Sequence, residues 1–275
     1  MKRTSATLVM AIIISISACK KNDYCDKTPK HQATCDLMQV LESSGDKDGS
    51  VSRYRKEYDP STGKVSKVVV GLFTFCLGDS ISLIPKYDGN DIHFVREDNE
   101  NDTVITATFD GNNRLLKLTQ GNAPHFQLAS MLFSYSSNRL LKLHFAFSSD
   151  FTFDLVPTYD ANGNVTKLID PTGTGQSYFY TYDLSVRATQ QFYSDDFEGD
   201  GYNSMYMAEF MGWLPDLEPV NKRTHVRLVT GDYEIADADL ADHIYDASGK
   251  LLSYQSGATF TNIWNCTTSR HSCSH

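Results

Sequence analysis

Beyond residue 18 the sequence has no apolar run long enough to cross a bilayer as a helix, which takes ~20 residues. The longest later run, Val68 to Leu77, contains Gly71 and Thr74 and has the length of a strand. The signatures of common catalysts are missing as well: there is no Gly-x-Ser-x-Gly elbow and no His-Glu-x-x-His zinc site. A glycine-rich phosphate loop is lacking too, because Gly173-Thr174-Gly175 follows Pro171 in a turn without a strand–helix context. Positive charge is scarce, with 25 Lys and Arg against 34 Asp and Glu, for a net charge of −9. Such a surface repels phosphate backbones, so no nucleic acid partner is expected. Tryptophan is nearly absent; the two present, Trp213 and Trp264, are the aromatic residues singled out for ligand contact.

What is present begins with a leader. Lys2 and Arg3 precede an apolar stretch from Ala6 to Ile16, the pattern of a signal peptide over residues 1–18, which takes no part in the fold. Ile16-Ser17-Ala18-Cys19 then resembles the bacterial lipobox. That resemblance implies cleavage before Cys19, lipidation of its sulfur, and acylation of the new amino group. Several acyl chains together anchor a protein far better than one. Lys20 rather than Asp follows the cysteine, which by resemblance to Gram-negative sorting rules directs the protein to the outer membrane. The start Cys19-Lys20-Lys21-Asn22-Asp23 resembles the export tag of Bacteroidetes surface lipoproteins, so the cell surface is preferred over a periplasm-facing position. Loss of Lys2 and Arg3 takes the net charge to −11 and leaves 257 residues, enough for a single sizeable β-domain.

Cys25, Cys35, Cys76, Cys266 and Cys273 remain after Cys19. An exported chain can form disulfides, and the local candidates are Cys25 with Cys35 and Cys266 with Cys273; spacing alone leaves the connectivity open. Cys76, inside an apolar run, reads as a buried free thiol.

A repeat organises the rest. It consists of an aromatic residue, Asp or Ser, a short turn, often a basic residue, and then aliphatic residues around a Lys. The copies begin at Tyr58-Asp59, Phe109-Asp110, Tyr135-Ser136, Tyr159-Asp160 and Tyr245-Asp246, with a degenerate one at Tyr87-Asp88. Asp and Asn fold back on turn backbone and Gly or Asn accepts positive φ, so each copy predicts a β-hairpin. Strict alternation puts Val65, Lys67 and Val69 on one face and Ser66, Val68 and Val70 on the other. By the same rule Leu116 and Leu118 share a face opposite Leu115 and Lys117.

These hairpins resemble the YD-type repeats of bacterial Rhs proteins. The wider layout, with a lipobox, a spacer and then repeated Tyr-Asp-x-x-Gly-Lys-Leu hairpins over about residues 50 to 260, resembles Bacteroidetes lipoproteins with a DUF4595-like domain. The resemblance implies a shape and no activity.

Between the later copies, Tyr178 to Gln191 reads as strand with Tyr182-Asp183 as a worn turn. Met205, Ala208, Met211 and Leu214 at helical spacing predict a helix from Asn203 to Trp213, ended by Pro215 and Pro219. That helix is expected to pack on the sheet or cover an edge. A second short helix is expected over Asp36 to Ser43, with Thr34 as cap and Leu37, Val40 and Leu41 as its stripe. Asp196, Glu198 and Asp200 resemble the first half of a calcium loop but lack its last ligand, since Met207 stands there. Ser44, Asp46 and Asp48 are similarly incomplete, with Arg55 in the last place. Cys266, His271, Cys273 and His275 are zinc-type ligands without a known spacing, and the disulfide reading is preferred.

The expected fold is mainly β: a single long twisted antiparallel sheet of repeated β-hairpins, able to curl into an open barrel, with one or two short helices. The expected organisation is residues 1–18 as lipoprotein signal peptide, 19–49 as lipidated tether with a short helix, 50–264 as β-hairpin domain and 265–275 as polar tail. The expected function is a non-catalytic binding or structural module at the cell envelope, without a cofactor unless the acidic loop takes calcium. Its partners are the membrane, through the lipid, and a glycan or envelope protein. A glycan hydrolase using the acidic loop and a carrier of an apolar ligand are the alternatives.

Overall fold

The computed structural model describes residues 34–43, 51–71, 80–121, 130–137, 139–147, 152–173, 175–188, 190–193, 203–256 and 258–267. The chain divides into two compact units: Cys35–Asn265, which carries the sheet, and a smaller one made of Met1–Thr34 and Cys266–His275. Cys19, Cys25, Cys76, Cys273, the acidic loop with Asp196, Glu198 and Asp200, and the Ser44–Asp48 fragment lie outside the described residues.

Among the described residues, seventeen strands form one sheet. They are β1 Thr34–Ser43, β2 Val51–Tyr58, β3 Val65–Gly71, β4 Ser80–Asp88, β5 Asp91–Arg96, β6 Asn99–Phe109, β7 Leu115–Gln120, β8 Ser130–Ser136 and β9 Arg139–Ala146. The chain continues through β10 Thr152–Tyr159, β11 Val165–Ile169, β12 Gln176–Arg187, β13 Asn221–Thr230, β14 Tyr233–Asp239, β15 Ala241–Tyr245, β16 Leu251–Ser256 and β17 Ala258–Thr267. Between β12 and β13 lie helix α1, Asn203–Phe210, and a single 3-10 turn, Pro215–Leu217. From β2 to β14 each strand runs antiparallel to the next in sequence. β1 pairs with both β2 and β17, so the meander comes round on itself as a nearly closed barrel. Leu240 alone separates β14 from β15, which are successive halves of one bent path: β14 pairs with β13 and β15 with β16.

Buried Leu, Val, Phe and Tyr from strands all along the chain form one core cluster with Met207, Ala208, Phe210, Leu214 and Leu217 of the helical segment. The helix thus forms where its sequence predicts it, and its segment packs into the core. Phe210 stacks on Tyr54 with ring centroids 5.3 Å apart, and Trp213 meets Phe109 edge-on at 5.1 Å. Asp216 accepts the Leu140 N–H at 2.7 Å, fixing the turn to β9.

The hairpin repeat has a specific mechanical content. In the four full copies that carry the Asp, its carboxylate accepts the N–H two residues on: Asp59 from Ser61, Asp110 from Asn112, Asp160 from Asn162 and Asp246 from Ser248, at 2.8 or 2.9 Å. The residue before the basic position takes positive φ: Gly63 at 67°, Asn113 at 61°, Gly163 at 96° and Gly249 at 86°. Only Gly, and to a lesser degree Asn, enters that region cheaply. The hydrogen bonds donated by the N–H and guanidinium of Arg114 hold the Asp110 carboxyl below the usual carboxylate range.

The aromatic residue links one unit to the one before it. Tyr87 donates its hydroxyl to the Val65 carbonyl at 3.0 Å, Tyr135 to Leu115 at 2.9 Å, Tyr159 to Leu140 at 3.1 Å and Tyr182 to Val165 at 2.6 Å. Burial pushes the hydroxyls of Tyr135 and Tyr159 up to about 12, so they remain donors. The basic residue reaches forward: Lys64 lies 4.7 Å over the Tyr87 ring, Arg114 5.1 Å over Tyr135 and Arg139 4.0 Å over Tyr159. The repeat is therefore a staple, with Asp closing its own turn while Tyr and the basic residue tie neighbouring hairpins together.

Three expectations change. The stretch Asp36 to Ser43, expected as a helix, is strand β1, so the sheet begins inside the stretch expected as tether. A helix that short is marginal alone, whereas a strand here satisfies the open edges of β2 and β17. Tyr182-Asp183 lies inside β12 and reverses nothing, although its tyrosine keeps the staple. Finally, the expected strand faces slip by one residue. Pairing skips immediately before the aromatic residue in every full copy: Glu57/Tyr58, Thr108/Phe109, Ser134/Tyr135, Thr158/Tyr159 and Ile244/Tyr245. The β-bulge turns Leu115 and Leu118 both into the core and leaves Leu116 exposed at 38%. Leu140 and Leu143 flank an exposed Leu141, at 54%, for the same reason.

Candidate functional site

A cleft of about 650 Å³, open solvent included, lies against β1, the 190–193 segment, the helical segment and the start of β13. Its floor is a buried polar network. Gln191 donates from its side chain to the carbonyls of Pro219 and Asn221, at 3.0 and 2.9 Å. Its side-chain oxygen accepts the hydroxyls of Tyr193 at 2.6 Å and Tyr245 at 3.2 Å. The Gln191 N–H is received by Glu218 at 3.0 Å. Burial pushes the Glu218 carboxyl up. Arg223 places its guanidinium between two rings, 4.3 Å from Tyr180 and 4.8 Å from Tyr193.

The network extends to Asn164, which occupies the position that is basic in the sibling hairpins. Its side-chain nitrogen donates to Asp160 and to Asn221, and its oxygen accepts the N–H groups of Val220 and Asn221, all at 2.8 to 2.9 Å. Asn221 in turn donates to the carbonyls of Leu184 and Val186 at 3.3 Å. Buried polar groups persist only when satisfied in this way. Here they splice the chain that leaves the helical segment onto the fourth hairpin.

On another side, Lys56 is buried, with Nζ 2.5 Å from Asp36 and 3.1 Å from the Phe210 carbonyl. Burial lowers its pKa against the pull of Asp36. Cys35 lines the cleft and is disulfide-bonded, as is Cys266, so neither offers a thiolate. The polar side chains on this floor are committed to one another; what the cleft offers a ligand is shape, aromatic edges and the acids Asp36, Glu209 and Glu218. No group of three or more metal-type ligands is present among the described residues.

Of the two tryptophans expected to meet ligand, Trp264 lines this cleft, with its indole N–H donated to the Leu251 carbonyl at 2.8 Å. Trp213 packs between Phe94 and Phe109 against the core. Gln191, Glu218, Asn221 and Arg223 were not singled out from the sequence. Isolated polar residues in strand-like or proline-flanked stretches carry no local mark of burial.

His243 sits beside this network, stacked on Tyr245 at 6.2 Å and edge-on to Tyr193 at 5.9 Å. Burial, helped by the charge of Lys222, pushes its pKa down to about 4 from 6.5. Between those values the unfolded chain binds a proton that the folded chain does not, so stability falls as pH falls through this window. After discounting for partial solvent exposure the loss comes to roughly 2 kcal/mol. Melting temperatures measured from pH 7 to pH 4 should decline, and His243→Gln should flatten the decline. An unchanged slope in the variant would contradict the assignment.

No family model matches the chain, and no curated protein matches it. Solved structures do. A porin-like protein from Bacteroides uniformis superimposes with a TM-score of 0.58 at 13% identity, covering 87% of this chain and 99% of that one. A porin-like protein from Bacteroides vulgatus gives 0.51 at 11% identity, covering 83% and 98%. At such identities the shared property is the fold, a porin-like β-barrel.

Proposed function

We propose that the chain is a lipid-anchored protein of the outer membrane whose barrel is a packed, non-catalytic binding or structural module and conducts nothing. The observation that carries this is the polarity of the wall. Barrels that span membranes turn an apolar band outward and keep a polar interior. Here alternate strand residues enter an apolar core filled by Phe210, Leu214 and Leu217. The residues between them include charge pairs, Lys67 with Glu97, Lys86 with Glu100 and Lys142 with Asp154, interspersed with single exposed apolar side chains such as Leu116 and Leu141. A hydrocarbon environment would make such a wall costly, whereas water and a tether suit it.

The tether is Cys19, on the lipobox resemblance, and the hairpins resemble those of DUF4595-like lipoproteins. The cleft beside Gln191 and Trp264 is the place for a glycan or envelope-protein ligand. The filled core favours this module over a carrier of apolar molecules.

The test uses an alkyne-tagged palmitate fed to a Gram-negative host expressing the full chain. The protein should take up the label and sediment with the outer membrane. Cys19→Ser should lose the label and move to the soluble fraction. A wild-type protein that stays unlabelled, or ion conductance across a planar bilayer, would overturn the reading.

A further inference from the structure

We propose that the free edge of β14 is a docking strand for an extended, basic segment of a partner protein, which would join the sheet by β-augmentation. β14 pairs with β13 from Tyr233↔Thr230 to Asp239↔His225, and among the described residues the pairing to β16 is taken up by β15. Among the described residues, the side of β14 away from β13 is thus a sheet edge seven residues long, about the length of an ordinary strand. The Leu240 N–H donates to the Thr224 carbonyl at 2.8 Å, which fixes the phase of the ladder. In an antiparallel pair, hydrogen-bonded and non-hydrogen-bonded positions alternate. Ala236 and Ala238 therefore spend their backbone groups on β13, and those of Asp237 and Asp239 point outward.

Apolar side chains lie open at the start of this edge, Tyr233 more so than any other large apolar residue described. Tyr233 is 80% exposed and Ile235 is 53% exposed, two large apolar side chains beside the β13–β14 turn. The flanking charges share one sign: Asp232, Glu234, Asp237, Asp239 and Asp242. His225 contacts both Asp237 and Asp239 at 2.9 Å. Arg227, paired opposite Asp237 on β13, carries its guanidinium over the Phe179 ring at 4.9 Å. An exposed edge invites a strand, and edge charges decide which strand it accepts. A second copy of this edge would set acid against acid, so like charge disfavours self-pairing. A strand alternating apolar residues with Lys or Arg meets both the apolar tip and the acids.

The probe is a fluorescein-labelled nine-residue peptide alternating Lys and Val, titrated into the full chain in detergent, beside its Glu–Val counterpart. The Lys peptide should bind at least tenfold more tightly at physiological salt. Asp237→Pro, which removes an outward N–H without touching the β13 ladder, should abolish binding, while Asp237→Asn should weaken it less. Hydrogen exchange supplies a readout that does not depend on any variant folding: peptide should protect the amides of Asp237 and Asp239 and leave those of Ala236 and Ala238 unchanged. Equal binding of both peptides, absence of new protection at Asp237 and Asp239, or dimerisation of the free protein through this edge would each overturn the proposal. None of these outcomes bears on the lipid anchor or on the cleft.

Discussion

Phe210→Ala is expected to remove about 3–5 kcal/mol of stability, the usual range for deleting a fully buried aromatic side chain. Phe210 is only 1% exposed, stacks on Tyr54 and meets Phe192 edge-on at 6.2 Å. It also brings its carbonyl to Lys56 and its ring to within 5.0 Å of the same ammonium. The cavity left behind has little means of collapse, because the sheet around it is fixed by its own ladder and by the tyrosine staples. Domains are stable by only about 5–15 kcal/mol, so the loss is a large share of the total. Urea unfolding followed by circular dichroism would show it as a lower midpoint at an unchanged slope. A loss under about 1 kcal/mol would mean that the sheet holds its shape without the helical segment, and the packed-module reading would weaken with it.

The repeat made much of this architecture readable. Aromatic-Asp turns such as Tyr159-Asp160 and Tyr245-Asp246 mark hairpins because their chemistry is local: an Asp that accepts nearby N–H groups and a Gly that enters positive φ. The bulge preceding each aromatic residue was not readable. It is a property of two strands in register, and the exposed Leu116 and Leu141 look like core residues to any period-two reading. The misread strand β1 has the same origin. Leu37 and Val40 lie three residues apart, as on a helix, but the segment is held as a strand by β2 and by β17 at the far end of the sheet. The cleft was the least legible feature. Its floor joins Asn164 to Asn221 across 57 positions, and Gln191 to segments roughly thirty positions on. No window of sequence contains such a network, whereas the fold assembles it where the repeat is interrupted.

That interruption yields the most discriminating prediction. Asn164→Lys makes the fourth hairpin match its siblings more closely, since Lys64, Arg114, Arg139 and Lys250 stand at the equivalent positions. By repeat consensus the change should be harmless or stabilising. The structure dictates the opposite. Asn164 is fully buried, and its oxygen alone satisfies two N–H groups, those of Val220 and Asn221. Lysine has no acceptor, so both donors would be orphaned and an ammonium would enter the buried space with Asp160 as its counter-charge. Each orphaned buried donor costs ~1–3 kcal/mol, and the charge adds to that, so a loss of roughly 3–5 kcal/mol is expected. Asn164→Asp keeps the acceptor but loses the bond to the Asn221 oxygen and sets a second carboxylate beside Asp160. It should fall between wild type and the lysine variant at neutral pH and recover part of the gap on mild acidification, as protonation removes that repulsion. Chemical denaturation of the three proteins side by side decides the matter. A lysine variant as stable as wild type would show that the fourth hairpin follows its repeat and owes nothing to the network that interrupts it.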